Sequence, residues 1–463
     1  MAFAETFHSP TQEGIFLMRA SHTLDAVAVM FDDDHAVANA GLVLPATVAQ
    51  HLGLEEIIDG CVDLADRPGY YRPGRKALTL IHSMVAGGDC IDDADVLRCG
   101  STAAVLGHQV MAPSTLGTFL RSFTFGNVRQ LDRASEQALT GAWAVGAGPG
   151  DAELIIDIDS SICEVYGYDK QGAAYGYTHV LGYHPLLATR ADTGEVLHCR
   201  QRKGSANTAR GAQRFVRETI GRARRAGATG PIVVRADSGY HSDKVIKACT
   251  DHGAAYSITA RQTSRVVTAE ASIDPDAWIL IRHPDPDSLD PDDHAAPVEK
   301  GQEAWVAETD LDGRRLIVRR TRDAAGPGVL FDTWRHHAFL TNRTGTPVEL
   351  DADHRRHAVI ELVIRDLKAG AGMNHFPSGD FSANGAWLIL ATMAHNLIRW
   401  TANLAFADPA PQVAKTFRRR YLTIPGRLTH SARRWTLHLP TRWPWATQWA
   451  DALNRLRHIN LTT

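Results

Sequence analysis

The sequence predicts an α/β protein: a mixed sheet flanked by helices, with an all-α N-terminal region before it and a β-rich insertion within it. Three observations carry this reading. Two short, almost unbroken apolar runs, ELIIDIDSS (153–161) and PIVVRADSGY (231–240), read as strands buried on both faces. Helical periodicity dominates residues 1–143 and stops at the glycine-rich joint AVGAGPGDAE (144–153). A hairpin pattern, AWVAETDLDGRRLIVRRT (304–321), with its turn at Asp312-Gly313, lies between the second apolar run and a later helix.

Composition narrows the class. The 463 residues are 44% hydrophobic and 22% charged, as in an ordinary globular protein with room for several domains and a sizeable core. The first residues lack a basic stretch followed by an apolar one, so no signal peptide is expected. The longest apolar stretch, Trp387 to Phe406, contains His395, Asn396 and Arg399 and reads as a buried helix, not a membrane span. Cys61, Cys90, Cys99, Cys163, Cys199 and Cys249 form no Cys-x-x-Cys pair, which suits a reducing cytoplasm and argues against a zinc module. A net charge of −3 excludes a chain that is basic throughout, but the charge is unevenly spread. Residues 1–100 carry fifteen acidic against six basic residues, 199–225 nine basic against one acidic, and 411–463 ten basic against one acidic. Two basic blocks in a neutral chain suit a polyanionic partner, and they also fit solvated helix faces.

In chain order, residues 1–24 read as irregular. Asp32-Asp33-Asp34 precedes a helical stretch, and VAQHLGLEEIID (48–59) reads as one amphipathic helix. The loop RPGYYRPGRKA (67–77) leads to helices at 76–87 and 92–98. Residues 101–125 hold two short helices meeting at Ala112-Pro113, with Pro113 or Ser114 opening the second. This fits a helix-turn-helix that turns Ser114, Thr115 and Thr118 to DNA, or an ordinary helix pair. A helix at 126–142 precedes the joint. Beyond it, AAYGYTHVLGYHP (173–185) and GEVLHCRQR (194–202) read as strands, 205–226 as a long Arg-studded helix, 241–253 as a helix and AAYSITA (254–260) as a strand. The aspartate- and proline-rich run at 284–293 reads as loop, and HHAFLTN (336–342) as a strand. DHRRHAVIELVIRDLKAGAG (353–372) reads as one helix closed by Gly370 and Gly372, and 380–406 as a second, largely apolar one. RRWTLHLPTRWPW near the C-terminus reads as extended.

Three carboxylates stand out. Asp159 and Asp237 each end an apolar strand, where open sheets place their ligands. Glu361 lies mid-helix, and at 100° per residue His354, His357, Glu361 and Lys368 share a narrow arc of one face. Carboxylates from two strand ends and a helix suit a pair of hard divalent cations and in-line phosphoryl displacement. Asp157 shares a strand face with Asp159, as a supporting ligand or an alternative for the first position. Taken singly, a strand-end aspartate also fits a turn cap, and Glu361 and Lys368 also fit a solvated helix face.

With these motifs in hand, the sequence resembles a cut-and-paste DDE transposase of a bacterial insertion sequence, and more narrowly the insertion-sequence group numbered thirteen-eighty. IDIDSSICEVYGYDKQGAAYGYTHVLGYHPLLA, VVRADSGY, and His354-x2-His357-x3-Glu361-x6-Lys368 followed by AGAG carry the likeness, which covers about 150–406 well and the N-terminal helices loosely. The wider class usually shows Tyr-x2-Arg-x3-Glu-x6-Lys; here both aromatic and guanidinium places are His, and Arg355 or Arg356 is the available replacement charge. The resemblance implies an RNase H-like catalytic core, with Asp159, Asp237 and Glu361 as catalytic residues binding Mg²⁺, or Mn²⁺ in its place. It implies double-stranded DNA as partner, both terminal inverted repeats and target, handled by a homodimer in the bacterial nucleoid. Lys368, His354, His357, Arg355, Arg356, Arg202, Lys203 and Arg210 are the expected DNA contacts, and Trp278, Trp305 and Trp334 of the insertion are candidates for stacking on a flipped base, although each fits a core or strand-pairing tryptophan better. The alternatives are an RNase H-like nuclease without strand transfer and a catalytically inactive, transposase-derived DNA-binding protein. The organisation expected is a helical DNA-binding or dimerisation region (1–143), the core's first part (151–261), the β-rich insertion (262–350), the Glu helix and its successor (351–406), and a basic, Trp-rich C-terminal region (407–463).

Overall fold

The computed structural model describes residues 27–167, 169–176, 178–283, 298–299, 301–323, 334–407 and 413–459. The expectations of irregular chain at 1–24 and of loop at 284–293 lie outside them. The chain divides into two units, 1–34 and 35–463. The described residues of the first, 27–34, are exposed and hold no helix or strand.

Short β1 (Ala36–Val37) precedes α1 (Val43–His51) and α2 (Leu54–Cys61). These two replace the single helix expected over 48–59, because Gly53 adopts a left-handed φ of 63° that ends one and starts the other. Then come α3 (Pro73–Ala86), α4 (Thr102–Leu106), α5 (Pro113–Arg121) and α6 (Phe125–Ala142). Pro113 occupies the first turn of α5, where its missing N–H costs nothing. Thr124 and Asn127 cap α6 reciprocally.

Among the described residues ten strands then build one mixed sheet, in which β2 (Leu154–Ser160) is third from one edge. Two small strands, β3 (Cys163–Glu164) and β4 (Ala174–Tyr175), pair with β5 (Leu181–Tyr183) in a separate three-stranded sheet, so the stretch 173–185 is broken and not one strand. Antiparallel β6 (Leu186–Arg190) flanks β2 on one side, and β7 (Val196–Arg200) follows it at the edge. On the other side β8 (Ile232–Ala236) and β9 (Ala254–Thr259) run parallel to β2, joined through α7 (Ala212–Ala226) and α8 (Asp243–Asp251). The Arg-studded helix begins seven residues later than expected, at Ala212 after left-handed Gly211.

Residues 262–350 extend this same sheet. After α9 (Ser264–Ala271), β10 (Ile279–Leu280) and β11 (Val298–Glu299) pair with β12 (Gln302–Leu311); β12 pairs with β13 (Arg314–Asp323), β13 with β14 (Arg335–Thr341), and β14 with β9. Asp312 and Gly313 both take positive φ, as a two-residue hairpin turn requires. α10 (Pro347–Arg355) and α11 (Val359–Gly370) return the chain to the centre, and α12 (Phe381–Ala405) forms the pillar between α1, α3, α6 and β7. α13 (Ala414–Phe417), the hairpin β15 (Gly426–Ser431) and β16 (Arg434–His438), and α14 (Ala446–Arg457) complete it, so only part of the C-terminal stretch expected to be extended is strand. Among the described residues no helix is long and apolar enough to cross a membrane.

Polar groups on α12 serve the sheet edge. The Asn396 side chain accepts from Val196 N–H at 2.7 Å and donates to Val196 C=O at 2.8 Å, which satisfies both backbone groups of Val196 on β7. Fully buried Glu195 accepts from the indole N–H of Trp143 and of Trp400, each at 2.9 Å, and pairs with Arg190. Asn396→Leu leaves a buried N–H and C=O unpaired and is expected to lower unfolding free energy by about 1–3 kcal/mol for each group. Urea denaturation measures this, and an unchanged midpoint would contradict the edge-capping role.

Candidate functional site

Asp159 is the penultimate residue of β2, and Asp237 follows the last residue of β8. Ile158 pairs with Ala236 across these parallel strands, so the two carboxylates leave the sheet side by side at its C-terminal edge. Each is oriented by its own loop: Asp159 Oδ1 accepts from Ser160 N–H at 2.6 Å, and Asp237 Oδ1 from Gly239 N–H at 3.0 Å. Glu361, in the first turn of α11, lines a cleft of about 390 Å³ together with Asp159, Arg365 and Lys368. Burial pushes the Asp159 carboxyl up to about 6; the Ser160 N–H and His357 oppose this, while the charges of Asp237 and Glu361 add to it. Asp237 and Glu361 therefore both act electrostatically on Asp159. The oxygens of the three acids do not all come within 4.8 Å; among the described residues the group that does is Asp89, Cys90 and Asp93. There the Asp93 carboxylate is engaged by the backbone N–H groups of Asp89 and Cys90, which makes it a loop cap.

A buried ion cluster carries α10 and α11 to this edge. Asp157 and Arg235 are register partners on β2 and β8 and are almost wholly buried. Arg235 grips Asp157 with both prongs, Nε to Oδ1 at 2.7 Å and Nη2 to Oδ2 at 2.8 Å. Its remaining nitrogen donates to the Asp353 carbonyl at 2.6 Å, and Arg343 links Asp353 to Glu153. His357 Nδ1 donates to Asp157 Oδ1 at 2.9 Å. The Asp157 carboxylate is thus taken up by Arg235 and His357, as befits a support; neither it nor Asp237 is among the residues that line the cleft.

The expectation of one helix over 353–372 fails at Arg356–Ala358, which form a tighter 3₁₀ turn between α10 and α11. The turn separates residues that a continuous helix would align. His357 stays beside the carboxylates. His354 is turned against the sheet, its ring stacked on Phe339 at 4.1 Å and its nitrogens bonded to Ser257 Oγ and Thr259 Oγ1 at 2.8 and 3.0 Å. Burial, with His357 and Arg235 nearby, brings its pKa down to about 3. It is a neutral packing residue, which corrects its expected place as a DNA contact.

Of the other expected contacts, Lys368 reaches the cleft and donates to Ile162 C=O at 2.7 Å. Arg202 does not reach the surface: it is 8% exposed, and its guanidinium serves the carbonyls of His184, Asn207, Thr208 and Arg210. Lys203, Arg210, Arg355 and Arg356 are exposed, Arg355 beside Glu299 at 3.4 Å. The tryptophans of the insertion converge on one cation. The Arg320 guanidinium lies 4.0 Å from the Trp278 ring, 4.5 Å from Trp334 and 5.7 Å from Trp305. Trp278 is buried there and offers no open face. Arg235 was missed in the sequence, although a charged residue inside each of two apolar runs, Asp157 and Arg235, is a signal for a buried pair.

The fold and cleft thus define an α/β protein with a carboxylate cleft at the C-terminal edge of parallel strands. The chain belongs to the family described as transposase DDE domain group 1, whose model matches residues 21–461. A solved structure of a piggyBac transposase synaptic complex with hairpin DNA is similar over 83% of this chain and 79% of that one, at 12% identity and a TM-score of 0.44. No curated protein was found to match.

Because His354 is neutral in the fold and titrates near its ordinary value when unfolded, the unfolded chain binds more protons below about pH 6.5. Its contribution to stability is present above that pH and is lost as pH falls towards 3. His354→Phe is expected to flatten the dependence of unfolding free energy on pH between 6 and 4 by up to about one proton, read by urea melts at each pH. An unchanged slope would contradict the buried neutral ring.

Proposed function

We propose that this chain is an Mg²⁺-dependent DNA transposase of a bacterial insertion sequence. It binds the terminal inverted repeats, cleaves at the element's ends and joins the 3′-hydroxyls to target DNA, acting as a homodimer that synapses two ends. The observation that carries this reading is the placing of Asp159 and Asp237 at adjacent strand ends, with Glu361 lining the same cleft as Asp159, in a chain of the DDE family. The order β7-β6-β2-β8-β9, with β6 antiparallel and the next two parallel to β2, supports an RNase H-like core.

The donor set suits a hard divalent cation. Three carboxylate groups supply oxygen, and the repulsion that helps raise the Asp159 carboxyl is relieved by a positive ion. Asp159, Asp237 and Glu361 would hold Mg²⁺, with Mn²⁺ able to substitute, and the metal would supply activation of the attacking oxygen and stabilisation of the leaving one. The chain's own groups position the strand. Lys368 and Arg365 present positive charge to a phosphate on the same wall as Glu361. Asp157 fixes the His357 ring, so that its other nitrogen is free to face the backbone. An inactive DNA-binding descendant is less favoured because all three acids are kept.

Asp159→Asn, Asp237→Asn and Glu361→Gln are each expected to lower Mg²⁺-dependent cleavage of terminal-repeat DNA by at least about a hundredfold, with end binding in a mobility-shift assay largely kept. Full cleavage by any one variant would remove that residue from the site. Cleavage without strand transfer by the wild type would favour the nuclease alternative.

A further inference from the structure

A second cavity, of about 590 Å³, opens where the start of α6, the start of α12 and the end of β7 meet. Asp159 pairs with Leu187, and Leu187 with Cys199 in the cavity wall, so it begins two strand spacings, about 10 Å, from the proposed catalytic edge. Its walls are mainly apolar, with one exception. The Gln201 amide oxygen and nitrogen are both shielded from solvent, and among the described residues neither has a hydrogen-bond partner. A buried, unmatched amide is costly, and an apolar side chain of similar shape would make a better structural wall.

Two further features belong to the same cavity. Phe125 stands at its rim with 73% of its surface exposed, far more than an aromatic needs for packing. Gly385 lies on the floor, where a Cβ would make ordinary contact with the Val128 methyls at 3.4 Å and the Gln201 Cβ at 3.9 Å, so its absence leaves a methyl's worth of extra room. At the mouth, Arg200 and Arg214 pair with Glu218, whereas Arg210 is exposed and has no ion pair among the described residues.

The ligand that meets these demands is flat, has apolar faces, offers a donor and an acceptor on one edge, and carries a negative charge. We propose that this cavity takes an unstacked nucleobase, with Gln201 reading its edge, Phe125 covering its face and Arg210 meeting the attached phosphate. An adenine edge, with donor and acceptor side by side, matches the Gln201 amide. Only the DNA source of the base rests on the transposase reading; the nucleobase chemistry does not.

The test is equilibrium binding of the full chain in EDTA, which makes it independent of cleavage. Fluorescein-labelled duplexes, one fully paired and one with a single unpaired adenine, are titrated by anisotropy, and dAMP alone by calorimetry. The wild type is expected to favour the bulged duplex by at least about fivefold, and Gln201→Leu and Phe125→Ala each to reduce this preference below about twofold. Binding of dAMP alone, lost in both variants, would assign a free nucleotide as a source; a bulge preference without dAMP binding assigns a strand-borne base. Phe125 is exposed, so its variant folds whatever Gln201 does, and Gln201→Leu is expected to melt at or above the wild-type temperature. The proposal is overturned if the wild type shows neither bulge preference nor dAMP binding, or if what it shows survives in both variants. A clearly lower melting temperature of Gln201→Leu would likewise overturn it, by making the amide a structural one.

Discussion

The arrangement depends on one buried ion pair, Asp157 with Arg235. Two charges inside apolar strands are tolerable only when each meets its counterpart with good geometry, and register pairing across β2 and β8 provides that. The pair leaves one Arg235 nitrogen and one carboxylate oxygen able to engage other partners. The first takes the backbone of Asp353 and the second takes His357. A single electrostatic knot therefore joins the two strands that carry Asp159 and Asp237 to the segment that carries Glu361. The positions of the three acids relative to one another follow from it.

The surrounding fold closes the β7 side of the sheet. α12 covers β7 and supplies Asn396 and Trp400 to backbone and carboxylate groups that would otherwise be buried unpaired. The hairpin of 302–323 and β14 continue the sheet beyond β9, so the residues between the second aspartate and the glutamate return directly to the platform that receives α10. The cleft itself is left open, with Asp159 at the strand end and Glu361, Arg365 and Lys368 along α11.

Much of this was legible in the sequence because its causes are local. Apolar runs announced β2 and β8, Asp312-Gly313 announced the hairpin, and Pro113 marked a helix start. The strand-end positions of Asp159 and Asp237 followed from the same runs. What was missed has non-local causes. Nothing within 353–372 reveals the turn at 356–358, which forms where the chain docks on Asp157 and Arg235; a helical wheel therefore puts His354 on the face of Glu361 and Lys368, whereas it packs against Phe339 of the sheet. The start of α10 was readable after all, from the Thr346–Glu349 capping box. Arg202 looked like part of a basic face, yet its partners are main-chain carbonyls of a loop that no periodicity describes.

The central claim is that Asp159, Asp237 and Glu361 hold one divalent ion site. Iron-directed cleavage tests it without reference to DNA. Fe²⁺ bound to the protein, with ascorbate and peroxide, cuts backbone close to the metal, and mass spectrometry locates the cuts. The account predicts cuts clustered near residues 159, 237 and 361, suppressed by excess Mg²⁺ and absent in Asp159→Asn. Cuts centred instead on Asp89–Asp93, or a pattern unchanged in Asp159→Asn, would contradict it.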